Sequence, residues 1–176
     1  MGLAGGRASA AEIGPITLAP PSSQLGYTVF ALGFIPINAT FEDFNGTLTV
    51  DPGQPTSCSV DLTVRIASLH MADPARNKLA LSPAVLDVVR FPTMHFTGHC
   101  VGSSLQTGGQ LAGALTLHGV TRQVVLDVVR DGTHVTATGM LLRRDYAIGG
   151  LPGMVGQHIR FRLAASLPAG TTGIHG

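Results

Sequence analysis

Charge is what this sequence has least of. Of its 176 residues only 12% are charged, about half the share usual in soluble domains, and eleven basic against ten acidic residues leave a formal net charge of +1. Near-neutrality removes the electrostatic footprint that a nucleic-acid partner requires, and no aromatic and basic residues interleave into a base-stacking platform. Nucleic acid is therefore excluded as a partner. So few charges also leave apolar area to be covered by something other than water: a second subunit, a membrane face, or an apolar ligand held inside.

Uninterrupted apolar runs are missing too. The stretch from Ile13 to Phe41 carries no charge, yet Pro15, Pro20, Pro21 and Pro36 interrupt it and would break a spanning helix. It reads as strands and turns, so no transmembrane segment is expected and any membrane contact is transient. The opening MGLAGGRASAAEIGP has no long apolar core of the secretory type, which leaves either a cytosolic protein or one whose signal has been removed.

Catalytic and metal motifs are absent as well. HFTGH spaces His95 and His99 as helical metal ligands would be spaced, but its neighbours read as strand, where a rise of about 3.3 Å per residue puts them roughly 13 Å apart. They read as scattered surface or barrel-mouth histidines, and no metal site is expected. No GxSxG elbow frames a serine nucleophile. The glycine-rich GGLPGMVG, residues 149 to 156, lacks lysine and a GKT or GKS ending, so it reads as a permissive, mobile loop rather than a phosphate cradle. No catalytic residue and no cofactor are assigned.

What the chain has is alternation. In CSVDLTVRIASL, residues 58 to 69, Val60, Leu62, Val64 and Ile66 point one way and Ser59, Asp61, Thr63 and Arg65 the other, the pattern of a half-buried strand. HIRFRLAASL, residues 158 to 167, repeats it. Weaker versions occur at 25–31, 44–51, 93–101, 110–118, 123–129 and 133–143, with a DG turn at Asp131 and Gly132. Eight or so strands with short turns predict an all-β antiparallel barrel or sandwich. Helix signals are confined to the connection 70–92, where Asp73–Pro74 and Ser82–Pro83 each resemble an N-cap followed by proline, predicting short helical segments. A connection that long reads as a lid or barrel cap. One domain over 15–167 is expected, between flexible segments 1–14 and 168–176.

Three polar features remain. HGVTR, residues 118 to 122, either forms a strand corner or brings His118 and Arg122 to a ligand; Arg144 and Asp145 form either a surface pair or part of a barrel mouth. Cys58 falls opposite Cys100 if Leu62 falls opposite Phe96, because both pairs sum to 158. A cross-sheet disulfide is then possible, the alternative being two buried thiols.

The order of these pieces resembles the YceI family of lipocalin-like barrels. LTLHGVTRQVVLDV is its most specific part, carrying the family's L-T-L-H-G-V-T-R turn on Leu115 to Arg122. Around it stand SSQLGYTVFALG (22–33), FEDFNGTLTVD (41–51), RNKLALSPAVLDVVRFPTMHF (76–96), RRDYAIGG (143–150) and VGQHIRFRL (155–163), so the likeness covers roughly residues 15 to 167. It implies an extended antiparallel lipocalin-like barrel of about eight strands holding one apolar tail, often as a homodimer and usually exported to the bacterial periplasm, although a cytoplasmic location stays open. The expected function is non-enzymatic binding and transport or storage of a long-chain amphiphilic lipid: a polyisoprenoid, an isoprenoid quinone or a fatty-acid derivative. The alternatives are a filled, ligand-free dimeric interaction module associated with stress and an enzyme acting on a headgroup. Expected lining residues are Leu25, Tyr27, Val29, Phe41, Phe44, Val64, Ile66, Leu86, Phe96, Leu117, Leu141 and Phe161. His118 and Arg122 read mainly as the strand corner, while these two with Arg144 and Asp145 supply any polar contact at the barrel end.

Overall fold

The computed structural model describes residues 15–50, 57–101, 108–150 and 154–168. The expected terminal segments, apart from Pro168, lie outside these residues. Eleven strands make up the described fold: β1 (Ile16–Leu18), β2 (Ser23–Ala31), β3 (Ile35–Phe41), β4 (Phe44–Val50), β5 (Cys58–Arg65), β6 (Leu69–His70), β7 (Thr93–Val101), β8 (Gly109–Leu117), β9 (Val120–Asp131), β10 (His134–Leu142) and β11 (His158–Ser166). They form one antiparallel sheet in the order β1-β4-β5-β7-β8-β9-β10-β11-β2-β3-β6. Its inward residues, from Ile16 on one edge to Leu69 on the other, join a single core cluster, so the sheet curls on itself as a barrel. Where β3 leads into β4 the two do not pair; backbone bonds from Glu42 N–H to the Ser68 carbonyl (3.2 Å) and from Arg65 N–H to the Asp43 carbonyl (3.0 Å) extend the β3–β6 and β4–β5 ladders into that link.

The count of eight becomes eleven because three strands carry no alternation long enough to read. β1 and β6 have only three and two residues. β3, IPINATF, contains Pro36, which cannot donate to a ladder. It is tolerated because β6 reaches only Thr40 and Phe41, leaving Pro36 on a stretch with Phe30 of β2 on one side and no strand partner on the other.

Register follows the inward faces. Leu62 lies opposite Phe96 in the β5–β7 pair, and Cys58 and Cys100 are joined at a Cα–Cα distance of 5.0 Å. Closing a loop of 42 residues' separation limits the unfolded chain, which by chain entropy stabilises the fold by about 4 kcal/mol.

The connection between β6 and β7 holds one helix, α1 (Pro74–Leu81). Asp73 caps it, its Oδ1 accepting from Ala75 N–H (2.9 Å) and Arg76 N–H (3.3 Å), with Pro74 in the first turn. Ser82–Pro83 does not start a second helix. Ser82 is instead the C-cap of α1, its N–H returning to the Leu79 carbonyl, and 83–90 runs in turns with Asp87 at φ +49°. No helix among the described residues is long and apolar enough to cross a membrane.

Candidate functional site

Strand parity decides what faces the barrel interior. Tyr27 and Val29 from β2, Phe41 from β3, Leu117 from the end of β8 and Phe161 from β11 turn inward at one end, where Ile66, just past β5, joins them. Ala80 of α1 and Val85 and Leu86 beyond it close over these side chains, so the 70–92 connection does cover the interior. Between them lies a cavity of about 360 Å³, within the size range of small-molecule sites. Tyr27 sits between Phe41 and Phe161, ring centroids 5.9 and 5.8 Å apart. Burial pushes its phenol up to about 12, so the ring is neutral across the physiological range.

A second cavity, of about 110 Å³, continues the interior, walled by Leu25, Val64, Phe96 and Leu141 and by the cysteine pair. Met94 and Phe161 line both cavities and so stand at their boundary. Eleven of the twelve expected lining residues thus border one space or the other. Phe44 is buried but lines neither cavity.

The cavity wall is apolar except for Tyr27 and two arginines. Arg76 on α1 is exposed and pairs with Asp73 (3.6 Å). Arg143 is 6% exposed. It opens a 3₁₀ turn, Arg143–Tyr146, directly after β10. Its Nη1 donates to the carbonyls of Gly149 (3.3 Å) and Gly150 (3.2 Å) and its Nη2 to that of Val155 (3.3 Å), while its buried Nε has no partner. Desolvation lowers its pKa, yet an arginine remains cationic. This residue was absent from the expected set, which had Arg144 instead, and Arg144 is exposed. Parity was the available signal: Val135, Ala137 and Leu141 face inward, and Arg143 is next in that series.

A family model described as the YceI-like domain matches residues 17–167. The chain belongs to the YceI family. Among its relatives are two UPF0312 proteins, one of Pseudomonas putida strain W619 and one of Pseudomonas syringae pv. syringae strain B728a. The first is 32% identical over 130 residues, 74% of this chain and 67% of the relative; the second is 31% identical over 106 residues, 60% and 55% respectively. The match thus spans little more than half the length of the second relative. Among solved structures, Burkholderia cenocepacia BcnA aligns with a TM-score of 0.67 at 19% identity, covering 82% of this chain and 96% of BcnA. A polyisoprenoid binding domain from Saccharophagus degradans aligns with a TM-score of 0.61 at 15% identity, covering 86% and 98%. These likenesses fix the lipocalin-like barrel fold.

The HGVTR segment of this YceI barrel is a strand corner. Leu117 pairs with Val120, and His118 (φ +54°) and Gly119 (φ +75°) form the two-residue turn between β8 and β9, both left-handed as a type I′ hairpin requires. The corner is also a lock. His118 packs tilted against the Phe91 ring, centroids 4.5 Å apart, and its Nδ1–H donates to the Tyr146 carbonyl (3.0 Å), while Arg122 Nε donates to the Asp145 carbonyl (3.2 Å). Tyr146 is fully buried, its phenol pushed up first by burial, then by the Asp145 charge, with Arg122 acting the other way. His118, Arg122, Arg144 and Asp145 line neither cavity. His118 and Arg122 hold the turn that carries Arg143. His95 projects from β7 and pairs with Asp61 (3.0 Å), and His99 is exposed.

Proposed function

We propose that this YceI chain binds one long-chain amphiphilic lipid, a polyisoprenoid, isoprenoid quinone or fatty-acid derivative, and carries or stores it without altering it. The observation that carries this reading is the pair of adjoining apolar cavities sharing Met94 and Phe161 as a boundary. Each buried methylene is worth about 0.8 kcal/mol, so a tail running through both spaces is held without any strong polar contact. The binding named for the Saccharophagus degradans domain agrees with that reading.

Entry is proposed beside the β2–β3 turn. Leu32 and Met154 line the larger cavity yet are 62% and 58% exposed, and neighbouring Phe34 is 75% exposed. Such an apolar rim suits transient contact with the membrane or carrier that supplies the lipid. Export is part of the proposal, since the Cys58–Cys100 bond persists in an oxidising compartment.

Native mass spectrometry of protein purified without detergent tests the reading. The expected result is an adduct of several hundred daltons at fixed stoichiometry, released by solvent as a prenyl or acyl compound; the same spectrum counts the subunits of the proposed homodimer. A bare mass, with no uptake of offered isoprenoids or fatty acids, would replace the carrier with a ligand-free module.

A further inference from the structure

Arg143 is a charge without a counter-charge. No aspartate or glutamate lies within ion-pair distance of it among the described residues, and its three hydrogen bonds go to neutral carbonyls. Burying a cation is costly unless it is both hydrogen-bonded and paired. Clamping the glycine loop to β10 uses donors to three neutral carbonyls and places no opposite charge beside the guanidinium. The clamp therefore accounts for Nη1 and Nη2 and leaves the charge and the unpartnered Nε unexplained. Both belong to a residue that lines the larger cavity, whose remaining wall is apolar apart from Tyr27 and the exposed, already paired Arg76.

We infer that Arg143 anchors an oxyanion at the end of the ligand's tail, which makes the cargo an acidic amphiphile, a carboxylate or phosphate ester, rather than an alcohol, amide or quinone. This rests on the carrier reading and narrows it. A guanidinium presents donors in a planar fork suited to carboxylate and phosphate oxygens, and removal from water strengthens the attraction. The apolar cavity supplies affinity for the tail, and Arg143 selects the head.

The test uses the wild-type chain and two pairs of probes matched in tail: palmitic acid against hexadecanol, and farnesyl phosphate against farnesol, each displacing a fluorescent lipid at pH 7.5. The expected result is at least tenfold tighter binding of one or both acidic members than of the matching alcohol. Whichever pair shows the larger ratio separates the two oxyanion sources. In Arg143→Gln the acid-to-alcohol ratio falls toward one, and Arg143→Lys, which keeps the charge, restores most of it. An acid preference that persists undiminished in Arg143→Gln would overturn the assignment to Arg143, which shares the cavity wall with Arg76, and Arg143→Ala gives a second neutral variant if that one fails to fold. Equal binding of acid and alcohol would overturn the anchor and leave the carrier standing. Binding of no probe would overturn both.

Discussion

Replacing Val29 with phenylalanine separates a hollow barrel from a packed one by the sign of a single number. Val29 is buried on β2 and lines the larger cavity. In the packed case the added ring has nowhere to go, and overpacking costs about 1 to 3 kcal/mol. In the hollow case the ring enters the 360 Å³ space. Cavity volume costs about 24 cal/mol per Å³, so filling about 50 Å³ stabilises the unliganded protein by about 1 kcal/mol. The same ring displaces the ligand. If it evicts two methylenes from the wall, about 1.6 kcal/mol of affinity is lost, on the order of fifteenfold. The control is Ala39→Leu: Ala39 is as deeply buried on β3 but lines neither cavity, and its enlargement is expected to cost the full overpacking penalty. Urea denaturation followed by far-ultraviolet circular dichroism gives the stabilities, and displacement of a fluorescent fatty acid gives the affinities. If Val29→Phe destabilises as much as Ala39→Leu, the cavity is not free space. If Val29→Phe raises stability and leaves affinity unchanged, the tail lies elsewhere.

Two further predictions concern the surroundings of that cavity. Gly119→Ala forces a side chain into φ +75° and puts its Cβ 2.6 Å from the Phe91 ring, so it is expected to cost at least about 1 to 2 kcal/mol in urea denaturation; a cost below a few tenths would mean that the corner is not held on Phe91. Tyr27, pushed up to about 12, favours the neutral ring in the fold, so its stabilisation is complete below pH 10 and is lost as pH rises from 10 to about 12. Ultraviolet titration of the Tyr27→Phe variant against the parent should remove a phenolate step near pH 12, and a missing step near pH 10 would refute the buried site.

Much of this architecture is legible because alternation is a local property. Ile159, Phe161 and Leu163 fall on the interior side of β11 as their parity dictates, and the structure sets Leu62 opposite Phe96, the condition under which Cys58 meets Cys100. β3 escaped because Pro36 is permitted only by the missing neighbour on its outer side, a fact about the sheet and not about IPINATF. Ser82–Pro83 misled because serine serves both ends of a helix, and α1 was already ending there. Arg143 escaped for another reason. In RRDY the two arginines are chemically equal, and only the parity running up from Val135 separates the buried one from the exposed one.

By itself the sequence determined which side chains share a face along the strands that alternation marks, where the HGVTR corner falls and which family the chain resembles. Those follow from a two-residue period and from turn chemistry, both written in neighbouring positions. Only the tertiary structure decided that the inward side chains leave two adjoining spaces, that Phe44 borders neither and that Arg143 lies buried against one without a counter-charge. Residual volume is a small difference between the space enclosed by eleven curled strands and the side chains filling it. That difference is set by curl, register and the seating of α1, which no local pattern records.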